Sequence, residues 1–256
     1  MSIETMAQYP SLKGRPVLIS GGATGIGEAL VRNFAAQDAK VGFVDLAEAE
    51  GNALADELTA AGTTVAFRCC DITNIEAYRD AISGIEALHG PTLALVNNAA
   101  NDTRHDWREV TPDYFDARVA VNLRHSFFAI QAVAPGMIAA GGGAIVNLGS
   151  IGWMKASGGY PVYASSKAAV HGMTRSFARD LGKHGIRVNT LVPGWVMTKR
   201  QLELWVDDAA NAEIDKGQCL AGRVLPDDIA RMALFLAADD SRMCTAQNFV
   251  VDGGWV

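Results

Sequence analysis

Short apolar runs alternate along this chain with longer stretches in which apolar residues recur every three or four positions. The runs at 16–20, 41–44, 64–68, 93–96, 144–149, 186–192 and 248–251 are nearly continuous in Val, Ile, Leu, Ala and Phe, the pattern of strands covered on both faces. Between them, Leu30, Val31 and Phe34, then Leu54 and Leu58, then Ile75, Tyr78 and Ile82 fall at helical spacing. A long helical pattern runs over 112–138, another opens at Pro161, and a last one covers 226–237. Strand–helix alternation of this kind predicts an α/β fold, a doubly wound and mostly parallel sheet. No tandem repeat or low-complexity linker divides the chain, so 1–256 reads as a single domain. The segment 195–222 breaks the alternation; irregular and dotted with aromatics, it is expected to form a lid.

Composition narrows this picture. The 256 residues suffice for a large core, and 49% hydrophobic with 20% charged residues is ordinary for a soluble globular protein. A net charge of −6 argues against a nucleic-acid surface and against a polybasic membrane patch. No apolar run reaches membrane-spanning length, and residues 1–10 carry Glu4 and no apolar signal core. Cys69, Cys70, Cys219 and Cys244 show neither metal spacing nor a disulfide framework, which points to reduced thiols in the cytoplasm. His89, His105, His125, His171 and His184 show no ligand spacing either, so no metal site is expected.

Chemistry gathers at the ends of the predicted strands. Tyr163 and Lys167, four apart on a helix, share one face. A phenol is a poor base at neutral pH, and a neighbouring ammonium would pull its pKa down and make Tyr163 a candidate acid/base. Ser150 ends the fifth strand, thirteen residues upstream of Tyr163. The first strand runs into Gly21-Gly22-Ala23-Thr24-Gly25-Ile26-Gly27 and a helix, the context in which a glycine turn holds a pyrophosphate against a helix N-terminus. Asp45, at the end of the second strand, can bind ribose hydroxyls or cap the following helix. Asp71-Ile72 can meet an adenine edge, or Asp71 can cap the helix after it. Asn97 and Asn98 can serve a ligand or stitch the sheet. Asn122, inside an apolar helical stretch, marks a kink or a site residue.

Taken in order, Ser20-Gly21, Gly25-Ile26-Gly27, Asp45, Asp71, Asn97-Asn98-Ala99, Asn122, Ser150, Tyr163, Lys167 and Pro193-Gly194 resemble the short-chain dehydrogenase/reductase family over essentially the whole chain. Ser20 and Ala100 depart from the family pattern, each a small residue replacing another small one. The resemblance implies a Rossmann-like seven-stranded sheet, an oxidoreductase acting on CH–OH groups, and a homotetramer. It implies that Tyr163 takes the substrate hydroxyl proton, that Ser150 orients that hydroxyl, that Lys167 lowers the tyrosine pKa and holds the nicotinamide ribose, and that Asn122 links Lys167 to solvent. The cofactor is then assigned to Gly21, Thr24, Gly25, Ile26, Gly27, Asp45, Leu46, Asp71, Ile72, Asn98, Ala99, Tyr163, Lys167, Pro193, Gly194, Val196 and Thr198. Asp45 would repel a 2′-phosphate, and no Lys or Arg stands at Ala23, Thr24 or Leu46 to hold one, so NAD is expected rather than NADP.

Five short stretches are similar to the sugar-oxidising branch that contains the bacterial D-xylose 1-dehydrogenases: 9–14, 101–105, 121–125, 198–201 and 218–220. Trp153 and Trp195 offer flat faces for sugar C–H surfaces or for lid packing, and Asn101, Arg104 and Arg200 are candidate hydroxyl ligands. The expected substrate is an aldose oxidised at C1 to the lactone. A 2-keto-3-deoxy sugar acid, its carboxylate met by Arg104 or Arg200, is the alternative enzyme reading. A nucleotide-binding regulator without turnover is the alternative of another class; the complete set of Asn122, Ser150, Tyr163 and Lys167 argues against it.

Overall fold

The computed structural model describes residues 7–256. The expectation for the first residues of the chain therefore lies, for residues 1–6, outside the described part. Seven strands and nine α-helices alternate through it: β1 (Pro16–Ser20), α1 (Gly25–Ala35), β2 (Lys40–Asp45), α2 (Glu48–Ala60), β3 (Val65–Cys69), α3 (Ile75–His89), β4 (Ala94–Asn97), α4 (Pro112–Val119), α5 (His125–Ala139), β5 (Gly143–Leu148), α6 (Pro161–Leu181), β6 (Ile186–Pro193), α7 (Lys199–Leu204), α8 (Asp208–Gly217), α9 (Pro226–Ala237) and β7 (Asn248–Val251).

β1 shows why the sheet sits where it does. Val17, Leu18 and Ile19 are all buried, so the strand is covered on both faces. Val17 and Ile19 pack on one side with Leu30, Val31 and Phe34 of α1 and with Ile229, Ala233 and Leu234 of α9. Leu18 packs on the other with Tyr78 and Ile82 of α3, Ile130 and Val133 of α5, and Ala178 of α6. Alternate residues of one strand thus feed two separate cores, which is what doubly wound means at the level of side chains.

The strands lie in the order β3-β2-β1-β4-β5-β6-β7, and every pairing is parallel, one step beyond the mostly parallel sheet that the pattern predicts. The winding reverses between β1 and β4, so a crevice opens outside the carboxyl ends of those two strands. Along that edge Ser20 is level with Asn97, Asn97 with Asn147 and Asn147 with Thr190. Buried hydrogen bonds tie this row together: Asn97 Nδ2 donates to Asn147 Oδ1 at 2.8 Å, and Asn147 Nδ2 to Thr174 Oγ1 at 3.0 Å. Asn97 is therefore a sheet-stitching residue, one of the two roles its position left open.

The single helix expected over 112–138 is divided. Between α4 and α5 the chain makes a π turn, Ala120–Arg124, with Asn122 buried in it. Asn122 Nδ2 donates to Arg118 O at 2.9 Å, the carbonyl four residues back. By occupying that acceptor the side chain competes with the regular ladder, and the helix widens there instead of breaking. Segment 195–222 is also more ordered than its sequence suggests. It contains α7, capped by Thr198 Oγ1 accepting from Gln201 N, and α8, capped by Asp207 Oδ1 accepting from Ala210 N. α8 is anchored by the buried Ala210 and Ile214. Short helices, α7 with no buried residue and α8 with two, leave little periodicity to read.

Candidate active site

A cleft of about 1210 Å³ follows the carboxyl edge of the sheet. Its floor is built from the segments after β1, β4, β5 and β6, and α7 and α8 border its far end.

At the near end lies the glycine turn. Thr24 is the N-cap of α1 and makes no side-chain capping bond, so the first amides of this helix, on Gly25, Ile26 and Gly27, face a cleft they line without a cap to satisfy them. Amides in this state, at the positive end of an eleven-residue helix, suit a phosphate. Gly27 is required by close approach: a Cβ there would overlap the Gly21 carbonyl. Asp45 lies at the end of β2, where Oδ2 accepts from Ala23 N at 2.9 Å and Oδ1 from Ala47 N at 3.0 Å. It braces the turn and is not the cap of α2, whose N-cap is Ala47. Asp71 likewise is not the cap of α3, a role held by Asn74; it accepts from Thr73 and lines the cleft with the buried Ile72 and the exposed Leu46. Asn98 Nδ2 donates to Ser20 O and Gly21 O, fixing the turn from the β4 side, with Ala99 beside it. Pro193, Gly194, Val196 and Thr198 complete the wall after β6. The structure thus brings every sequence-derived cofactor residue to one cleft.

Midway along the cleft, Ser150, Tyr163 and Lys167 come together. Ser150 leaves the end of β5 and its Oγ accepts from Gly152 N at 3.0 Å. Lys167 is buried and donates from Nζ to Leu148 O at 2.8 Å. Burial lowers its pKa to about 8, against an opposing pull from the Asp102 carboxylate. The tyrosine departs from expectation. Burial raises the Tyr163 pKa, Ser150 pulls it down only in part, and Asp102 and Tyr160 push it further up. The Lys167 ammonium lies 5.8 Å from the centre of the Tyr163 ring, turned to the backbone, and so does not produce the lowered phenol expected from the Tyr–Lys spacing. Asn122 stands behind this group: Nδ2 donates to Asn101 O at 3.1 Å and Oδ1 accepts from Asn101 N at 2.8 Å, so the π turn holds the loop after β4. His125 and His171 are buried near Lys167, and burial together with that charge keeps both imidazoles neutral, His125 down to about 3.

The substrate candidates fare unevenly. Asn101 lines the cleft, but its Oδ1 accepts from Thr103 N at 2.9 Å and serves the loop. Arg200 lines the cleft with Nε 3.4 Å from Asp102 Oδ1 and Nη2 3.2 Å from Thr103 Oγ1. Arg104 lies over three rings, those of Trp205 (4.6 Å), Tyr160 (5.4 Å) and Trp195 (5.9 Å), and makes no ion pair among the described residues. Trp195 lines the cleft. Trp153 does not: its indole meets His171 edge-on at 5.0 Å, outside the cleft, because the turn after Gly152 carries it to the other side of the loop. Sequence reading missed Asp102, Tyr160, Lys155 and Gln201, all in the cleft wall. Only Asp102, the carboxylate amid a polar loop and next to Asn101, offered a signal there.

Chemically the arrangement offers a phosphate-binding turn, a carboxylate for ribose, and a hydroxyl, phenol and amine at one point of the cleft. The comparisons agree. The family model described as Enoyl-(Acyl carrier protein) reductase matches residues 21–256. The chain is similar to D-xylose 1-dehydrogenase of Caulobacter vibrioides, 46% identical over 97% of this chain and 98% of that one. It is similar also to the probable galactose dehydrogenase GalD of Rhizobium meliloti, 43% identical over 97% of each. Among solved structures, a blue fluorescent protein from a metagenomic library in complex with NADPH superposes with a TM-score of 0.89 at 34% identity, over 96% of this chain and 99% of the other. No helix among the described residues is long and apolar enough to cross a membrane. With the motifs in one cleft and likeness extending across the whole domain, the chain belongs to the short-chain dehydrogenase/reductase family of oxidoreductases, whose Rossmann-like fold binds a nicotinamide cofactor.

Proposed function

We propose that this protein oxidises a free aldose at C1 to the lactone with NAD as hydride acceptor. The observation that carries the reading is full-length likeness to two sugar dehydrogenases. Local geometry supports a neutral substrate, because Arg200 is paired with Asp102 and a further free carboxylate would meet that negative charge. A sugar acid is the second reading, favoured by Arg104, which has no acidic partner among the described residues.

The residues present fit a nicotinamide dinucleotide: uncapped amides of α1 for the pyrophosphate, Asp45 for the adenosine ribose, and Thr198 and Lys167 toward the nicotinamide half. When bound, the cofactor accepts the hydride. In its phenolate form Tyr163 Oη takes the hydroxyl proton, and Ser150 Oγ donates to the oxygen as it becomes a carbonyl. Lys167, still mostly protonated at neutral pH with a pKa near 8, holds its ammonium on Leu148 O, 5.8 Å from the Tyr163 ring centre and toward the nicotinamide half. Asn122 keeps the loop carrying Asn101 and Asp102 in register with this group and stands as the relay residue toward solvent. Segment 195–222 acts as the lid. Exposed Phe115 and Phe127 on α4 and α5 supply apolar surface for a homotetramer, and four free thiols fit a cytoplasmic location.

The test is NAD reduction against panels of free aldoses, sugar acids and keto-deoxy sugar acids. Turnover of aldoses with lactone as product supports the reading, and turnover of the acids alone overturns it.

A further inference from the structure

Trp195 is held in place by cleft-wall groups on one side and by a ring outside the cleft on the other. On the cleft side its Nε1 donates to Gln201 Oε1 at 3.0 Å, and Gln201 Nε2 in turn donates to Asp102 Oδ2 at 2.6 Å. Behind it stacks Trp255, with ring centres 6.5 Å apart and planes inclined by 27°. Trp255 lies beyond β7 and does not line the cleft. Its indole is confined from two further directions. Lys155 Nζ sits 3.8 Å from the ring centre while pairing with Glu213 Oε1 of α8 at 2.6 Å. On the opposite element, Gly217 ends α8 so close to the indole that an added Cβ would overlap its ring atoms. The segment is tied down as well, for Gly253 O accepts from Cys219 N and Leu220 N, and Asp252 accepts from Gly254 N and Val256 N.

Four segments therefore meet at one ring: the loop after β5, the segment after β6, α8 and the residues after β7. A cation–π contact is strong enough to bias the tilt of a ring and too weak to hold the fold. The Lys155–Glu213 pair is half-exposed on the carboxylate side and aims the ammonium more than it stabilises the chain.

We propose that Trp255 is a positioning residue for substrate: wedged between Lys155 and Gly217, it fixes the plane of Trp195 and so the width of the sugar end of the cleft. This rests on the sugar-dehydrogenase reading above. Trp255 does not line the cleft and acts through the groups that do, Trp195 and Lys155.

The experiment compares wild type with Trp255→Ala, Trp255→Phe and Gly217→Ala, measuring KM for D-xylose, KM for NAD, kcat and Tm. Trp255→Ala raises the sugar KM by about tenfold, a size consistent with misplacing a positioning group, while the NAD KM stays within about twofold. Gly217→Ala moves the sugar KM the same way by displacing the indole, and Trp255→Phe restores part of the loss. An unchanged sugar KM in Trp255→Ala overturns the proposal, as does a rise of both Michaelis constants together with a fall in Tm. If wild type turns over only sugar acids, the substrate reading fails first and visibly. The same variant-to-wild-type ratios, measured with the acid that is turned over, then decide the role of Trp255.

Discussion

The two ends of the cleft are made differently. At the cofactor end, the groups that face a ligand are mostly backbone, the amides of a glycine turn braced by Asp45 and Asn98 from neighbouring strands. At the end proposed for the substrate they are side chains, Arg104, Tyr160, Trp195 and Gln201, each from a different loop or helix and each in contact with another of the set. A backbone site is specified by a few residues that permit it, above all Gly27. A side-chain site is specified by long-range contacts that no local window contains. The first kind suits a cofactor shared by many reactions, and the second can change its substrate by exchanging loops.

The largest blow to this division comes between the two ends. Tyr163→Phe is expected to lower kcat by about 10²–10⁴, the range for a positioned acid/base, with NAD affinity retained in a binding titration. Loss of binding along with turnover would mean that the two ends are one site. Asp45→Ala is expected to narrow the preference for NAD over NADP by about tenfold or more, since like charges in contact cost several kcal/mol; sugar KM should not move. A native protein that already prefers NADP would refute the role given to Asp45.

Asp102→Asn gives a smaller, signed effect. The Asp102 charge raises the pKa of both Tyr163 and Lys167. Because oxidation needs the phenolate, the rate climbs as pH rises toward the raised Tyr163 pKa. Removing the charge lowers that pKa, so the rising limb of kcat/KM moves to lower pH. The smallest effect belongs to Trp153→Ala. With its indole outside the cleft, sugar KM is expected to change by less than about twofold, as for a surface substitution away from the site.

What could be read in the sequence follows the same division. The strands, α9 and the cofactor turn were legible because a buried parallel strand is a run of apolar residues and a phosphate turn is a run of glycines. Asn122 announced itself as a polar residue among apolar ones, and its π turn explains why. The state of Tyr163 was not legible. Spacing puts Lys167 one turn away, but spacing does not say that the ammonium bonds Leu148 O or that burial dominates the phenol. Trp153 and Trp195 carry the same chemistry in sequence, and only the path of the chain after Gly152 and Gly194 separates a surface ring from a wall. Trp255 gave no signal, since its meaning depends on Lys155, Gly217 and Trp195, which come together only in the fold.

The widened turn at Asn122 also makes α4 and α5 a helix with one residue too many. A π turn takes up one residue more than the α ladder does, so removing a single residue from 120–124 would restore the regular ladder and take away the turn from which Asn122 holds the loop after β4. Ile130, Val133 and Met137 keep α5 in the core in either case, so the loss falls on the two bonds between Asn122 and Asn101. One widened turn thus couples the length of a core helix to the loop that lines the middle of the cleft.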